Sequence, residues 1–395
     1  MSDTIEGDIR TDAPGIGALG GIRVVDLTRI LAGPFCSKLL GDMGAEVIKI
    51  ETPDGDPVRR QGAMVDGFSW YFAEFNRNKR SVVLDLYSDA GKDVLAKLIE
   101  TADVLIENYR PGVLAKMGFT QERLDALNPR LIVASVNGYG STGPYVDRPA
   151  FDFIAQAMSG FMASNGDPDG PARRAAAPIS DLVAGLYCAF GVVSALQART
   201  RTGRGQQVES SLTGGLISML SYLSAEYFAT GETPTRTGNN HPIVSPYGLF
   251  EASDGEIAVA PSHDTMVRRF LGVLGIAHLL DQPEYKDNPA RMRNRSTLNA
   301  AINAVTRTQS VDHWIDVINK AGCPAGRIME VADVFADPQV LSQGLKQRID
   351  HPVHGPMYVT GFPVKLSDTP CTVQAPPPDL GADTEAVLRE LGIEP

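Results

Sequence analysis

The sequence predicts an α/β fold built on an open, doubly wound parallel sheet, joined to a second section of different character. Three observations carry this expectation. Short apolar runs alternate with apolar positions at helical spacing from residue 21 to 137. The pattern then turns mainly helical over 150–229, and a stretch rich in Gly, Thr, Asn and Pro, 230–246, breaks it. At 395 residues the chain also exceeds what one hydrophobic core ordinarily serves.

Residues 1–20 read as a loose leader. Gly15-Ile16-Gly17-Ala18-Leu19-Gly20 matches G-x-G-x-x-G, but it precedes the first strand, whereas a dinucleotide fingerprint must follow one. The first strand is placed at 22–27, with a turn from Thr28 to Pro34. A helix through Cys36, Leu39, Leu40 and Met43 follows, and a second strand at 46–51 completes a parallel strand–helix–strand unit. A polar loop over 52–68 leads through Trp70-Tyr71-Phe72 to Asn76-Arg77-Asn78-Lys79-Arg80 and a strand at 81–86. A helix carrying Val94, Leu95, Leu98 and Ile99 then gives way to a strand at 104–107. Asn108-Tyr109-Arg110-Pro111-Gly112, a helix from about Thr120 and a strand at 131–136 close the alternation. Within the helical section, the basic turn Thr200-Arg201-Thr202-Gly203-Arg204-Gly205 feeds a strand near 206–209. Beyond the break, 247–251 and 257–260 read as a hairpin around Asp254-Gly255. Helices follow over 263–320, then a strand near 326–329, a helix near 330–336, a β-rich stretch over 347–365 and a last helix over 382–391. No internal repeat is visible.

Composition narrows the function. With 47 acidic against 36 basic residues, the net charge of −11 argues against a general binder of nucleic acid or anionic membranes. Cys36, Cys188, Cys323 and Cys371 show no C-x-x-C spacing and read as buried free thiols in a reducing compartment, the cytoplasm. Neither a targeting segment nor an apolar run of about 20 residues is expected. The six histidines do not cluster with cysteines, and no metal site is expected. Neither a G-x-S-x-G elbow nor a P-loop is present.

The stretch Ala175-Ala176-Ala177-Pro178-Ile179-Ser180-Asp181 sets one carboxylate at the mouth of an apolar helix. Leu182, Leu186, Phe190, Val193 and Leu196 recur after it at helical spacing. Asp181 therefore sits at or beside an N-cap, where free N–H groups and the helix dipole favour an anion, and the small residues around it admit another molecule. A plain cap and a working carboxylate fit these residues alike. Ligands of open α/β sheets bind at turns on the carboxyl ends of strands. Such turns are assigned to Arg29-Ile30-Leu31-Ala32-Gly33-Pro34, to Asn76–80 and to 108–112. The Asn-Arg-Asn-Lys-Arg cluster reads either as a phosphate-neutralising turn or as a solvated charged one.

Several blocks together resemble one family. Gly21-Ile22-Arg23-Val24-Val25-Asp26-Leu27-Thr28-Arg29-Ile30-Leu31-Ala32-Gly33-Pro34 is similar to the opening of the class III (CaiB/BaiF) coenzyme A transferases. Leu40-Gly41-Asp42-Met43-Gly44-Ala45-Glu46-Val47-Ile48-Lys49-Ile50-Glu51 continues the likeness. The Asn76, Glu107 and Arg201 blocks follow in the family's order, and the resemblance spans about 21–391. It implies an acyl-CoA:carboxylate CoA-transferase with Asp181 as nucleophile, passing through aspartyl anhydride and aspartyl-CoA thioester intermediates. Backbone N–H groups at the helix start would hold the oxyanions, and glycines nearby would admit the bulky anhydride. Leu31, Ala32, Leu84, Asp85, Asn108 and Lys116 are implied to contact CoA. Lys116 stands where members often carry arginine, and Thr52 where members carry a basic residue. No cofactor beyond CoA or acyl-CoA as substrate is implied.

Within the same resemblance, the α-methylacyl-CoA racemase branch needs a histidine where this chain has Phe151. The neighbouring Asp152 reads as a helix cap, and Glu251 matches a racemase glutamate. Asn240-His241-Pro242 resembles a transferase block near the active-site entrance, which makes His241 a candidate for orienting the acceptor. The glycine-rich loop of formyl-CoA transferases is absent, which weighs against an oxalate or formate substrate. Arg29, Arg77 and Arg173-Arg174 are candidate partners for the free carboxylate of a dicarboxylic acceptor. Succinyl-CoA is one expected donor; the acceptor stays open among succinate, mesaconate, itaconate, glutarate and citramalate classes. The resemblance further implies an interlocked homodimer and a Rossmann-like large domain formed by 1–228 and 326–395, with a small α+β domain over 229–325. A CoA-binding protein without catalysis is the alternative from another class.

Overall fold

Val24 and Val25, both fully buried, form the centre of a six-stranded sheet whose apolar strands are covered on both faces, as parallel strands require. In the computed structural model, which describes residues 17–394, the strands are β1 (Arg23–Asp26), β2 (Glu46–Glu51), β3 (Lys79–Val83), β4 (Val104–Glu107), β5 (Ile132–Asn137) and β6 (Gln207–Ser211). Residues 1–16, with most of the leader and the start of its glycine motif, lie outside the described residues. The sheet order is β3-β2-β1-β4-β5-β6, and every neighbouring pair runs parallel. The order reverses between β1 and β4. At such a point two successive connections leave in opposite directions and open a crevice at the carboxyl ends of the strands.

The expected α/β sheet is present, with one informative shift. β3 begins at Lys79 rather than 81, so residues 76–78 precede the strand and sit at its amino end, away from the crevice.

Helices α1 (Ala32–Asp42), α2 (Asp89–Thr101), α3 (Gln121–Leu127), α4 (Asp152–Met158), α5 (Ile179–Thr202) and α6 (Leu212–Ser218) belong to this large unit. Their ends are written locally. The Ser88 hydroxyl accepts the Gly91 N–H at 3.0 Å to start α2, and Thr120 caps α3 in the same way. Gly203, at φ +70°, ends α5 in the left-handed conformation that favours glycine, with Arg199 and Arg201 complementing the dipole.

α5 buries its small residues rather than most of the larger apolar ones that mark its period. Val183, Ala184, Cys188, Ala189, Val192 and Ala195 pack inward, against α1, β5, β6 and α6. Leu186, Phe190 and Val193, which recur at helical spacing in the sequence, are exposed. The small residues win the inner face because α1 comes too close for bulk: a Cβ on Gly185 would lie 2.5 Å from the Ala32 carbonyl oxygen. At 24 residues α5 is also, among the described residues, the one helix long and apolar enough to cross a membrane, which no run was expected to be. Half of its most apolar window is buried within the protein, as for a core helix.

The chain divides into two compact units. The large one takes residues up to Phe161, then Ala175–Leu220 and Pro338 onward; the small one takes Met162–Arg174 and Ser221–Asp337. The expected segments 1–228, 229–325 and 326–395 place these passages differently, because the helix Tyr222–Thr230 runs across residue 228 before the linker-like composition begins. The small unit has a three-stranded antiparallel sheet of Gly248–Ala252, Gly255–Val259 and Ala325–Arg327. Phe250, Ile257, Phe270, Leu298 and Trp314 form its core. In the large unit, the hairpin Lys346–His351 and Gly355–Thr360 packs Ile349, Met357 and Val359 on Phe68 and Phe72. Past it, the chain runs along the free edge of β3. There Ser81 N–H meets Asp383 Oδ2 at 2.9 Å, and Val83 N–H meets Thr384 Oγ1 at 3.0 Å.

Candidate active site

The turns leaving β1 and β4 are tied to each other. Asn108 Oδ1 accepts the Arg29 N–H at 2.9 Å, and Asn108 Nδ2 donates to the Arg29 carbonyl at 2.7 Å. Next to this clasp Ile30 stands at φ +71°, a left-handed conformation that a β-branched residue adopts only when its surroundings enforce it. Asp56 holds it there, accepting the Ile30 N–H at 3.1 Å while also receiving the buried Lys49 ammonium at 3.0 Å. Beneath the turn, the fully buried Asp26 carboxylate accepts from the Thr28 N–H at 2.8 Å, Ser37 Oγ at 2.6 Å and Lys79 Nζ at 3.1 Å. Burial works against the Asp26 charge, but Lys79 and Lys49 outweigh it and leave its pKa lowered. The crevice therefore has a floor fixed by buried, paired charges.

A cleft of about 420 Å³ opens over this floor. Its walls are residues 29–32 after β1, 108–111 after β4, 136–140 at the end of β5 and 148–151 leading into α4, together with Asp181 and Leu212.

Asp181 is the third residue of α5, in its first turn, and Pro178 holds the cap position. Burial pushes its carboxyl up to about 7, with the Asp152 charge adding to the rise. Asp152 does not cap its own helix α4. One of its oxygens accepts the Ser180 N–H at 3.0 Å and Ser180 Oγ at 2.9 Å, and the other accepts Gln156 Nε2 at 2.8 Å. It thus caps α5 from outside and fixes the backbone beside Asp181. Gln156 Oε1 in turn accepts the Ala175 N–H at 2.8 Å, pinning the small-residue turn. The expected oxyanion donors at the helix start are largely engaged: Ile179 donates to the Ala177 carbonyl, Ser180 to Asp152 and Leu182 to the Pro178 carbonyl. Gly185, the glycine next along α5, makes room for α1. Burial lifts the Tyr71 hydroxyl to about 12, and the charge of Asp181 adds to it, so the phenol stays protonated within the field of the carboxylate.

Of the residues expected from sequence, Arg29, Leu31, Ala32, Asn108 and Asp181 meet in this cleft, and Phe151 joins them. Leu84 is packed in the core. Asp85 is exposed and uses Oδ1 to accept the Tyr87 N–H at 3.0 Å. Lys116 is exposed at the end of the short helix Val113–Lys116, whose first residue lines the cleft. His241 lies in the small unit, with its ring stacked on Tyr222 at 5.9 Å and its Nδ1 accepting the Ile243 N–H at 3.2 Å. Burial lowers the His241 pKa, and Arg295 lowers it further. Glu251, in the same unit, is paired with Arg307 at 2.6 Å.

The Asn76–Arg80 cluster is neither a phosphate turn nor a solvated one. Arg77 is fully buried and grips Asp42 at 2.6 and 2.9 Å, which removes it as a carboxylate receptor. Lys79 serves Asp26, Asn76 and the Pro34 carbonyl, and burial pulls its ammonium down to about 8 against the attraction of Asp26. Arg80 binds Glu46 and Glu390. Arg173 lies in the small unit, 3.8 Å from Asp167. Two wall elements went unread in the sequence: the turn 137–140 and Arg148, which stacks on Tyr145. The strand-end rule that selected the turns after β1 and β4 also covers the turn after β5, so that turn was within reach.

Two of the six histidines meet a carboxylate. His351, His354 and Asp379 bring ligand atoms within 4.8 Å of one another. Both His351 nitrogens are already spent, however, Nδ1 on the N–H groups of Val353 and His354 and Nε2 on the Pro377 carbonyl at 3.0 Å. The trio works as a clasp between the hairpin turn and the C-terminal segment.

The model of CoA-transferase family III matches residues 19–384. The chain is 39% identical to the acetyl-CoA:oxalate CoA-transferase of Acetobacter aceti, over 90% of this chain and 91% of that one. It is 37% identical to the succinate–glutarate CoA-transferase of Agrobacterium fabrum, over 94% and 95%. The crystal structure of a CaiB/BaiF family protein from Brucella suis superposes with a TM-score of 0.85 at 37% identity, covering 95% of this chain and 99% of that one.

Proposed function

This chain belongs to CoA-transferase family III and moves coenzyme A between acyl-CoA thioesters and carboxylic acids; from that premise we propose that Asp181 is the nucleophile that carries the transfer. The observation that supports this most directly is a carboxyl group with its pKa raised to about 7, set in the wall of the cleft at the sheet's reversal point.

The Asp181 carboxylate attacks the thioester carbonyl of the donor, expelling CoA thiolate and leaving a mixed anhydride. The thiolate attacks the aspartyl carbonyl, releases the donor's acid and forms an aspartyl-CoA thioester. The acceptor carboxylate attacks that thioester, giving a second anhydride and free thiolate. The thiolate then takes the acceptor's acyl group and frees Asp181. Each step is acyl transfer between carboxylate and thiolate, so no metal or redox cofactor enters. Leu31, Ala32 and Asn108 line the cleft and are assigned to CoA; Lys116 and Asp85 are assigned to its outlying parts, and Leu84 through its backbone. Arg29 and His241 stay as proposed substrate contacts, each within its own unit.

The acceptor is proposed to be a dicarboxylic acid and succinyl-CoA a donor, because the relatives named for oxalate, succinate and glutarate all handle dicarboxylates. Racemisation is disfavoured by the site itself. Phe151 puts an exposed apolar ring in the cleft where a second proton carrier would be needed, and both Asp152 oxygens are turned to Ser180 and Gln156. The four unpaired cysteines support a cytoplasmic setting. The exposed residues Leu186, Tyr187 and Phe190 support pairing of the chain with a second copy, interlocked as in the family.

Incubating the protein with acyl-CoA and hydroxylamine tests the mechanism. Asp181→Ala is expected to abolish turnover and the trappable adduct while CoA still binds. Transfer by that variant at the wild-type rate would falsify the nucleophile. A screen of acyl-CoA donors against mono- and dicarboxylic acceptors, read by mass spectrometry, identifies the substrates.

A further inference from the structure

Three arginines line the cleft, Arg29, Arg110 and Arg148, and among the described residues none is paired with a carboxylate. That is unusual company in a chain with a net charge of −11, in which Lys49 and Lys79, the cations beneath the cleft floor, are both neutralised by buried carboxylates. Two of the three belong to the turns assigned to CoA. Arg29 is clasped to Asn108, and Arg110 follows two residues after Asn108 in the turn from β4. Arg148 belongs to a different wall. It stands three residues before Phe151 on the segment that enters α4, and the first residue of α4, Asp152, grips Ser180 beside the nucleophile. Arg148 is therefore carried on the support of Asp181 rather than on the CoA turns.

Its conformation is prepared for an anion. The guanidinium carbon lies 3.9 Å from the centre of the Tyr145 ring, and the Arg148 N–H donates to the Tyr145 carbonyl at 2.9 Å, so side chain and backbone are both held on one residue. Tyr145 in turn meets the ring of Tyr139 edge-on, with centroids 5.6 Å apart. Stacking occupies the face of a guanidinium and leaves its in-plane N–H donors directed outward, in the fork that matches the two oxygens of a carboxylate.

We propose that Arg148 receives the second carboxylate of a dicarboxylic substrate whose first carboxylate reacts at Asp181, and so sets the preference for diacids over monoacids. This rests on Asp181 being the nucleophile, and it answers a choice that the sequence left among Arg29, Arg77 and Arg173-Arg174 with a residue outside that set. Arg148 is a specificity determinant, and Tyr145 is the platform that positions it.

The test uses the full-length enzyme with acetyl-CoA as donor, which has no free carboxylate, and compares glutarate with pentanoate as acceptors of equal chain length. In the wild type glutarate is favoured. In Arg148→Gln the ratio of kcat/KM for glutarate to that for pentanoate falls by about 10- to 100-fold, the range for losing a charge-assisted hydrogen bond. Arg148→Lys recovers part of it, because a point charge lacks the fork, and Tyr145→Leu gives a smaller fall in the same ratio. The proposal is overturned if the wild type does not prefer glutarate or if the ratio is unchanged in Arg148→Gln. It is also overturned if the acetyl-CoA KM rises as much as the glutarate KM, since Arg148 would then be reading a CoA phosphate. Failure of the underlying mechanism shows separately, as the absence of a hydroxylamine-trappable adduct in the wild-type enzyme.

Discussion

Asp181 owes its raised pKa first to burial and then to the Asp152 carboxylate. Both effects disfavour the charged form, so the group is largely protonated below pH 7 and becomes a nucleophile above it. With a donor whose own acid is far more acidic, kcat/KM is expected to climb through an acid limb near pH 7 to a plateau. Asp152→Asn removes one negative neighbour while leaving an amide oxygen to accept from Ser180. The pKa of Asp181 then falls, and the limb moves to lower pH without reaching an ordinary aspartate value, because burial stays. A limb that holds its position in this variant would show that Asp152 fixes the backbone only. At this scale the sequence was partly legible. Asp181 could be read as a carboxylate at a helix start, because cap and helix are local. The tie from Asp152 to Ser180 spans 28 residues, and nothing in the spacing of either residue announces it. Arg148 was hidden for the opposite reason: its local motif, one tyrosine three residues away, is too common to signal a site.

Among the elements, the pairing of α1 with α5 does most to shape the site. α1 begins at the Leu31–Ala32 turn assigned to CoA, α5 carries Asp181, and at Gly185 the two helices approach too closely for a side chain. Gly185→Ala would push a methyl group against the Ala32 carbonyl and the Phe35 ring. Overpacking of this kind costs about 1–3 kcal/mol, so thermal denaturation is expected to show a lowered Tm. The acyl-CoA KM is expected to rise as well, because the strain falls on the CoA turn. An unchanged Tm would mean that the helices can separate without cost. Apart from β3, which lies two to three residues earlier than expected, the strands of the large sheet were readable to within about two residues, since buried parallel strands are short apolar runs with turns at each end. The buried face of α5 was not. Its leucines and phenylalanine keep the helical period, but period alone does not tell an outward stripe from an inward one, and the deciding residues were alanine, glycine and cysteine. The cluster 76–80 misled in a similar way. Charge in a turn looks solvated until Asp26, Asp42 and Glu46 arrive from other elements to bury it.

At the level of the whole molecule, the outward stripe of α5 is the feature an isolated chain leaves without a covering. Leu186 and Phe190 are 53% and 70% exposed, and Phe153 and Ile154 of α4 and Ile217 of α6 add to the apolar surface. Patches of this kind mark interaction sites. The wild type is expected to sediment as a dimer, and the double substitution Leu186→Glu and Phe190→Glu to lower that mass toward the monomer. A wild-type chain that sediments as a monomer at micromolar concentration would remove the basis for pairing. Contact between two copies is invisible in one sequence, because a stripe that faces a partner and a stripe that faces a core obey the same pattern.

The strap along β3 has a consequence in time. Ser81 and Val83 find their outer partners in Asp383 and Thr384, about 300 positions later in the chain. A ribosome finishes the strand long before it makes the segment that covers it. Throughout that interval the edge of the sheet presents unpaired N–H and C=O groups, the kind of template on which growing chains join one another. The basic and polar residues at the start of β3, Lys79, Arg80 and Ser81, are poor partners for such joining. Their charge, which in the finished enzyme is spent on ion pairs, would guard the nascent one.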